Sequence, residues 1–539
     1  EISYGPFFGG YRRIPVVVDV ETLDSDVLMV TLGGALEKDP EFDGAIESYI
    51  GAVGDDGLGA SYYELDNDLL QKLFVDTDFS KFTGENANVE STETYVLNKG
   101  ERLDLGNGDY LIVGDEFDYG ASVNSNTTDY TGTIDEATGT VTFEIHNLRQ
   151  APYEFRQTQV AKLKDVIDVL RIHVEPEYLL ILGGDGVIPL AEVEVFDVSS
   201  DWLAEVVYTD EFYGAMEFDV SDTKPLKLSG KIISKEDFNN KFSDIPIGRM
   251  PSPRNEKSTA LITKQLLTSA KLHEEGNVIR NVGIYYDDDS AHGADLDGSA
   301  KEIRKAIPGD SGYYNASDFY TYYFPEEYPD LQIENDGENY YDLVAQHDIV
   351  FYYLHGNGDR MGGEGPQKKL ETVIVGVDGE EEEKKLDSYY VLTEFENFSK
   401  KSIELNGQGI FSCSCFGASP FESETPLYEE FFRQGAGYYI GNTSYGYGQE
   451  TRDNTYNATS RKILLEILEG TKSGNDLGNS VLNSKQKLLE KGVDDNDLVP
   501  VDVHQLYNTI LYGDPTLRLE FDIGGKTGVN AAVPVSDAE

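Results

Sequence analysis

Three hydrophobic patterns alternate along this chain. Short unbroken apolar runs read as strands buried on both faces: residues 14–20 (IPVVVDV), 27–32 (VLMVTL), 178–182 (YLLIL), 282–286 (VGIYY), 349–354 (IVFYYL) and 437–440 (GYYI), with a further strand at 61–65. Stripes of helical period lie between them. Phe42, Ile46, Tyr49 and Ile50 mark a helix within 39–53, and Val160, Leu163, Ile167 and Leu170 another over 155–171. More helices are expected near 255–273, 299–307, 427–434 and 460–469. Strands alternating with helices predict α/β architecture, with parallel sheets covered by helices on both faces. Residues 74–147 break this rhythm. They are rich in Gly, Asn, Asp and Thr and alternate apolar with polar positions, as in 109–114 and 138–146. That pattern reads as a β-rich insertion or part of a retained pro-region.

The pattern divides the chain into four. Residues 1–150 hold the start of a first α/β subdomain and the β-rich segment. Residues 151–275 complete that subdomain, 276–521 form a second one, and 522–539 are a Gly/Ala/Val/Asp-rich tail or linker. Residues 361–388, with GEEEEKK at 379–385, read as a charged hairpin or loop.

A formal charge of −56 over 539 residues changes the picture of partners. It excludes a nucleic-acid-binding surface, which needs a basic footprint. It fits an acidic solvated surface, and equally an extracellular or salt-rich habitat with bound Ca²⁺. Asp287–Asp297 and Asp494–Asp497 offer oxygen ligands for such ions without the EF-hand pattern. No apolar run is long enough to span a membrane. The chain opens on Glu1 with neither Met nor a leader-like run, which reads as a mature or trimmed form and leaves the compartment open. Sequons at Asn126, Asn315, Asn397, Asn442 and Asn457 hint at secretion.

The candidate chemistry sits at two strand ends. One strand runs into His355-Gly356-Asn357-Gly358. The other, GIFSCSCFG at 409–417, carries the chain's two cysteines. Ligands of open α/β sheets bind at the carboxyl ends of strands. Neighbouring strand ends would bring a thiol and an imidazole over one cleft, the minimum for thiol catalysis. Cys413 and Cys415 lie two apart on one strand, so both face the same way and a disulfide between them would be strained. Cys415, nearer the loop, is the better exposed candidate nucleophile. Cys413, one pleat deeper, reads as a small buried residue.

These residues, with others in order, resemble the gingipain family of cysteine peptidases in the wider caspase-like group. The resemblance covers about 155–519. Besides the strand-His-Gly and strand-Cys segments it includes YLLILGGDGVIP (178–189), YTDEFYG (208–214), IPIGR (245–249), EEFFRQGAGYYIGN (429–442) and LYGDPTL (511–517). It implies a caspase-like α/β fold of two subdomains, with 276–521 the catalytic one. It implies a secreted or surface-attached endopeptidase with protein or peptide substrates, no cofactor for catalysis, and structural Ca²⁺ as a family habit. Cys415 would be the nucleophile, followed by Gly417 at a spacing tighter than usual, with His355 as base. Backbone N–H groups of Gly356 and Cys415 would hold the oxyanion. Asp288, where the family has Glu, would orient the imidazole; an ordinary acidic loop or a Ca²⁺ site reads the same run equally well. Asp297 would bind an Arg or Lys side chain before the scissile bond, although a helix N-cap explains an Asp there locally. Tyr445 and Tyr447 would wall that pocket. Lys368–Lys369 and Lys384–Lys385, between His355 and Cys415, are candidate self-cleavage sites. Two rivals share the scaffold: a sortase-like transpeptidase, and an inactive acidic Ca²⁺-binding surface protein.

Overall fold

The computed structural model describes residues 25–65, 91–147, 153–316, 321–323, 338–446 and 459–522, apart from 107–108, 115–118, 123–128, 136–137, 197–204, 216–227, 230–241, 254–257, 288–295, 308–310, 370–372, 375–380, 383–384, 402, 424 and 495–499. The strand expected at 14–20 and nearly all of the tail lie outside the described residues.

A ten-stranded sheet organises the molecule. Its strands, numbered here in chain order, are β1 (Val27–Thr31), β2 (Ala60–Glu64), β3 (Tyr178–Leu182), β4 (Ile247–Met250), β5 (Val282–Tyr286), β6 (Gly312–Asn315), β7 (Ile349–Tyr353), β8 (Gly409–Ser412), β9 (Tyr438–Asn442) and β10 (Thr509–Gly513). The spatial order is β6-β5-β7-β8-β9-β10-β4-β3-β1-β2. Neighbours are parallel everywhere except at β9–β10. Two parallel five-stranded blocks therefore run in opposite directions and meet at one antiparallel seam. The last strand, β10, crosses back to complete the first block.

The longer helices are α1 (Phe42–Asp55), α2 (Tyr153–Val174), α3 (Ala260–Glu275), α4 (Leu296–Ala306), α5 (Glu338–Ala345), α6 (Leu427–Gln434), α7 (Thr459–Lys472), α8 (Leu477–Asp494) and α9 (Pro500–Asn508). They cover both faces, which explains why the central strands are apolar without alternation. In β7, Ile349, Phe351 and Tyr353 enter one hydrophobic cluster. Val350 and Tyr352, with Leu354 just beyond, enter the other. The second cluster is rich in tyrosine, and its buried hydroxyls of Tyr340 and Tyr352 pair at 2.7 Å.

The β-rich segment folds as two antiparallel three-stranded sheets, around Thr140–Asn147 and Asp109–Val113, with a small core of Leu97, Leu111, Val113, Val141 and Phe143. The charged stretch after His355 is a hairpin of Arg360–Lys369 against Lys385–Glu394. Three of the longer helices were not anticipated: α5, α8 and α9. In α8 the first residue, Leu477, is followed by Gly478, Asn479 and Ser480, which are poor helix formers. Its start is fixed by the Asp476 carboxylate, which accepts from the Asn479 N–H at 2.8 Å. Pro500 opens α9, where a missing N–H costs nothing.

Candidate active site

Strand β8 ends at Ser412, earlier than its sequence suggests, and residues 415–418 form a tight turn. The two cysteines thus lie past the strand, and strand alternation does not govern their directions. Burial separates them instead. Cys413 is 6% exposed and belongs to the hydrophobic core, whereas Cys415 is half-buried at the turn. Phe416, directly after Cys415, has φ +55°, a left-handed conformation unusual for an aromatic residue. Such strain persists only where the surroundings enforce it, and it clusters at active sites. Here the Phe416 N–H donates to Ser444 O at 2.7 Å, and its ring meets Tyr445 edge-on at 4.6 Å. Gly417 is required for space: a Cβ there would stand 2.9 Å from Ser412 Oγ and 3.0 Å from the Tyr439 hydroxyl.

Strands β7 and β8 lie side by side, with Tyr352 opposite Ser412. His355 and Cys415 each follow within three residues of that last register pair. The two loops touch. A Cβ on Gly356 would fall 2.8 Å from Cys415 O and 2.8 Å from Ser414 Cβ, so only glycine lets the His loop close onto the Cys turn. His355 and Gly356 also pair with Gly362 and Met361 of the hairpin, which fixes the backbone on the other side. The His355 ring faces solvent. Beside this loop Asp359 accepts from Arg360 Nε at 3.0 Å and Nη2 at 3.2 Å. Gly358 packs on Glu422, and burial, then the neighbouring Asp359, pushes the Glu422 carboxyl above the usual range.

A buried amide network holds the turn from behind. Asn442 Nδ2, at the end of β9, donates to Cys413 O at 3.1 Å and Ser414 O at 3.3 Å. Its Oδ1 accepts from Gln505 Nε2 of α9 at 2.5 Å, and Ser460 Oγ donates to Gln505 Oε1. Asn442 is 2% exposed and fully engaged, so its sequon cannot be a glycosylation site. Sequence reasoning missed this role because the sequon offered another explanation and α9 had not been recognised.

Asp288 and Tyr447 lie outside the described residues. The preceding Asp287 N–H bonds Tyr353 O at 3.1 Å, so β5 ends beside the strand that carries His355. Helix α4 begins at Leu296, not near Ser299, so Asp297 sits inside its first turn rather than at its N-cap. Tyr445 is 42% exposed beside Phe416. Among the described residues no group of three or more His, Cys, Asp or Glu could hold a metal ion. The acidic runs expected to bind Ca²⁺ fall mostly outside the described residues. No helix among the described residues is long and apolar enough to cross a membrane.

Other family motifs turn out to be structural. Arg249 of IPIGR is 1% exposed. Its Nε donates to Asp210 of YTDEFYG at 2.9 Å, and its Nη1 donates to Gly183 O and Ile188 O, both at 2.8 Å. One guanidinium thus binds three motifs together. Burial would lower its pKa, but the Asp210 carboxylate outweighs this and keeps it firmly protonated.

The model of peptidase family C25 matches residues 105–520. Among solved structures, one described as "Structure of Protease" aligns over 91% of this chain and 78% of its own, at 11% identity and a TM-score of 0.45. No curated protein matches the chain.

Proposed function

We propose that this chain, which belongs to peptidase family C25 and is a cysteine endopeptidase, works through a dyad of Cys415 and His355. The imidazole takes the thiol proton and the sulfur attacks the carbonyl carbon of the scissile bond. The resulting oxyanion is held by the N–H groups of Gly356 and Cys415, donors of a kind worth about 2.7–4 kcal/mol each. His355 then gives its proton to the leaving amine, and a thioester remains on Cys415. Water, deprotonated by His355, hydrolyses the thioester and restores the thiol. The observation that carries this reading is the contact of Gly356 with Cys415 O, which permits the imidazole loop and the thiol turn to share one cleft. Asp288 remains the proposed partner of the imidazole.

Cleavage after Arg or Lys is the preference we propose. Asp297 in the first turn of α4 and the charge of −56 both favour a cationic substrate. Tyr445 and Tyr447 would flank the bound side chain. Self-processing at Lys368–Lys369 requires the hairpin to fray, since Lys369 pairs with Lys385 at the far end of its ladder. A single intact chain after long incubation of active enzyme would exclude it. An extracellular or cell-surface setting, with structural Ca²⁺, fits the acidic composition.

The deciding experiment is cleavage of fluorogenic peptides bearing Arg, Lys, Asn, Asp or Leu before the scissile bond, beside Cys415→Ala. Turnover of the Arg or Lys peptides, lost by more than about a thousandfold in Cys415→Ala, is the expected outcome. Turnover that survives the substitution would overturn the nucleophile assignment. Turnover of another peptide alone would remove Asp297 from the specificity pocket.

A further inference from the structure

The turn that follows β9 approaches the Cys415 sulfur with a backbone amide. The Gly446 nitrogen lies 3.4 Å from Cys415 Sγ with its N–H directed at the sulfur, and the Gly446 carbonyl lies 3.8 Å from the same atom. The two contacts serve opposite protonation states. A thiol can donate to the carbonyl, whereas a thiolate can only accept, and it accepts from the N–H. The shorter contact is the one that favours the anion, and a hydrogen bond strengthens when its acceptor is charged. The thiolate is the form that attacks.

This amide is held in place from behind. Asn508, the last residue of α9, is fully buried. Its Nδ2 donates to Tyr445 O at 2.7 Å, and its Oδ1 accepts from the Ser444 N–H at 2.6 Å. One carboxamide thus grips the chain on both sides of Tyr445, immediately before Gly446. The Ser444 carbonyl accepts from Phe416 N–H, so the grip reaches the residue after the nucleophile. Position 446 tolerates no side chain: a Cβ would lie 2.2 Å from Cys413 O and 2.5 Å from Asn442 Nδ2.

We propose that the Gly446 N–H is a catalytic donor that stabilises the Cys415 thiolate, and that Asn508 is the positioning residue that aims it. The proposal rests on Cys415 being the nucleophile, and deepens that reading by assigning what lowers its cost of ionisation.

The test is the pH dependence of alkylation of Cys415 by iodoacetamide, read at that residue by peptide mass spectrometry in wild type and Asn508→Ala. The midpoint is expected to rise by about one pH unit in the variant, since one lost donor to the charged form shifts a titration by that order. The acid limb of the kcat/KM profile should move with it. A folded Asn508→Ala whose midpoint is unchanged overturns the proposal. A second measurement covers the case in which the variant fails to fold. In unsubstituted protein labelled with carbonyl-¹³C tyrosine and ¹⁵N glycine, the Tyr445–Gly446 amide, assigned by its loss in Tyr445→Phe, should shift with the alkylation midpoint. An amide shift that stays flat through that midpoint overturns the proposal as well. Neither readout requires turnover. Activity surviving in Cys415→Ala would therefore sink the dyad assignment without being confused with a failure here.

Discussion

The two blocks of the sheet use the same device to opposite ends. In both, apolar strands give way to glycine-containing loops at their carboxyl ends. In the first block, β3 runs into Gly183-Gly184-Asp185, and the loop is consumed by the buried Arg249, which takes Gly183 O, Ile188 O and the Asp210 carboxylate. In the second block, β7 and β8 run into His355-Gly356 and the Cys415 turn. These are fixed through backbone contacts and through amides behind them, Asn442 and Asn508, while the imidazole stays exposed and the thiol half-buried. A loop whose charged groups neutralise each other inside the protein is a clamp. A loop held by its backbone can present its side chains to a substrate.

The sharpest way to break that contrast is at the clamp. Arg249→Met would strand the Asp210 carboxylate in a site that is 5% exposed. Removing one partner of a buried pair costs about 3–5 kcal/mol. Urea unfolding should show that loss, and Asp210→Leu added to Arg249→Met should recover part of it, because no charge is then left buried. If the single variant loses less than about 1 kcal/mol, a range typical of exposed ion pairs, the clamp reading is wrong.

Much of this contrast could be read from the chain, and the rest was hidden for physical reasons. Strands buried on both faces announce themselves as apolar runs, so β1, β3, β5, β7 and β9 were visible. The His-Gly and Cys segments stood out because a reactive side chain after such a run has no packing purpose. The roles of Arg249 and Asp210 were not legible: they lie 39 residues apart, and only the fold pairs them. Helix α9 was missed because PVDVHQLYN is short and its polar residues face inward. Gln505 and Asn508 are fully buried there, as is His504, whose pKa burial drives down to about 3. A helix that buries amides to hold an active-site turn lacks the polar outer stripe that marks a surface helix.

On the catalytic side, Gly356→Ala tests whether backbone closeness is what matters. The added methyl would have to find room beside Cys415 O and Ser414 Cβ, each 2.8 Å away. Pushing the two loops apart by a fraction of an ångström misplaces both the oxyanion donor and the base. An activity loss on the order of a hundredfold is expected, with overpacking costing about 1–3 kcal/mol of stability. Alkylation of Cys415 by a small reagent should survive. Near-normal kcat/KM in this variant would remove Gly356 from the oxyanion site.

The smallest effect probes how the first block is closed by the end of the chain, and it depends on pH. Asp514 of the closing Gly-Asp-Pro motif is fully buried. It accepts from the Tyr49 hydroxyl at 3.0 Å and faces His273 Nε2 at 2.9 Å, while His273 Nδ1 meets Asp56 at 2.6 Å. Burial alone would lower the His273 pKa, but the bonds to Asp514 and Asp56 outweigh it and raise it to about 9. A histidine raised on folding stabilises the folded state fully below its ordinary pKa of about 6.5. That contribution is lost as pH rises through about 9. The shift corresponds to at most about 3 kcal/mol, and less in practice because Asp56 is half exposed. The growing negative charge of the whole molecule also weakens it at high pH, so the quantity to read is the difference between wild type and His273→Gln. That difference in unfolding free energy should be large at pH 6 and shrink toward zero by pH 10. A gap that stays constant across this range would mean that His273 holds α1, α3 and the closing motif together by packing, with its charge playing no part.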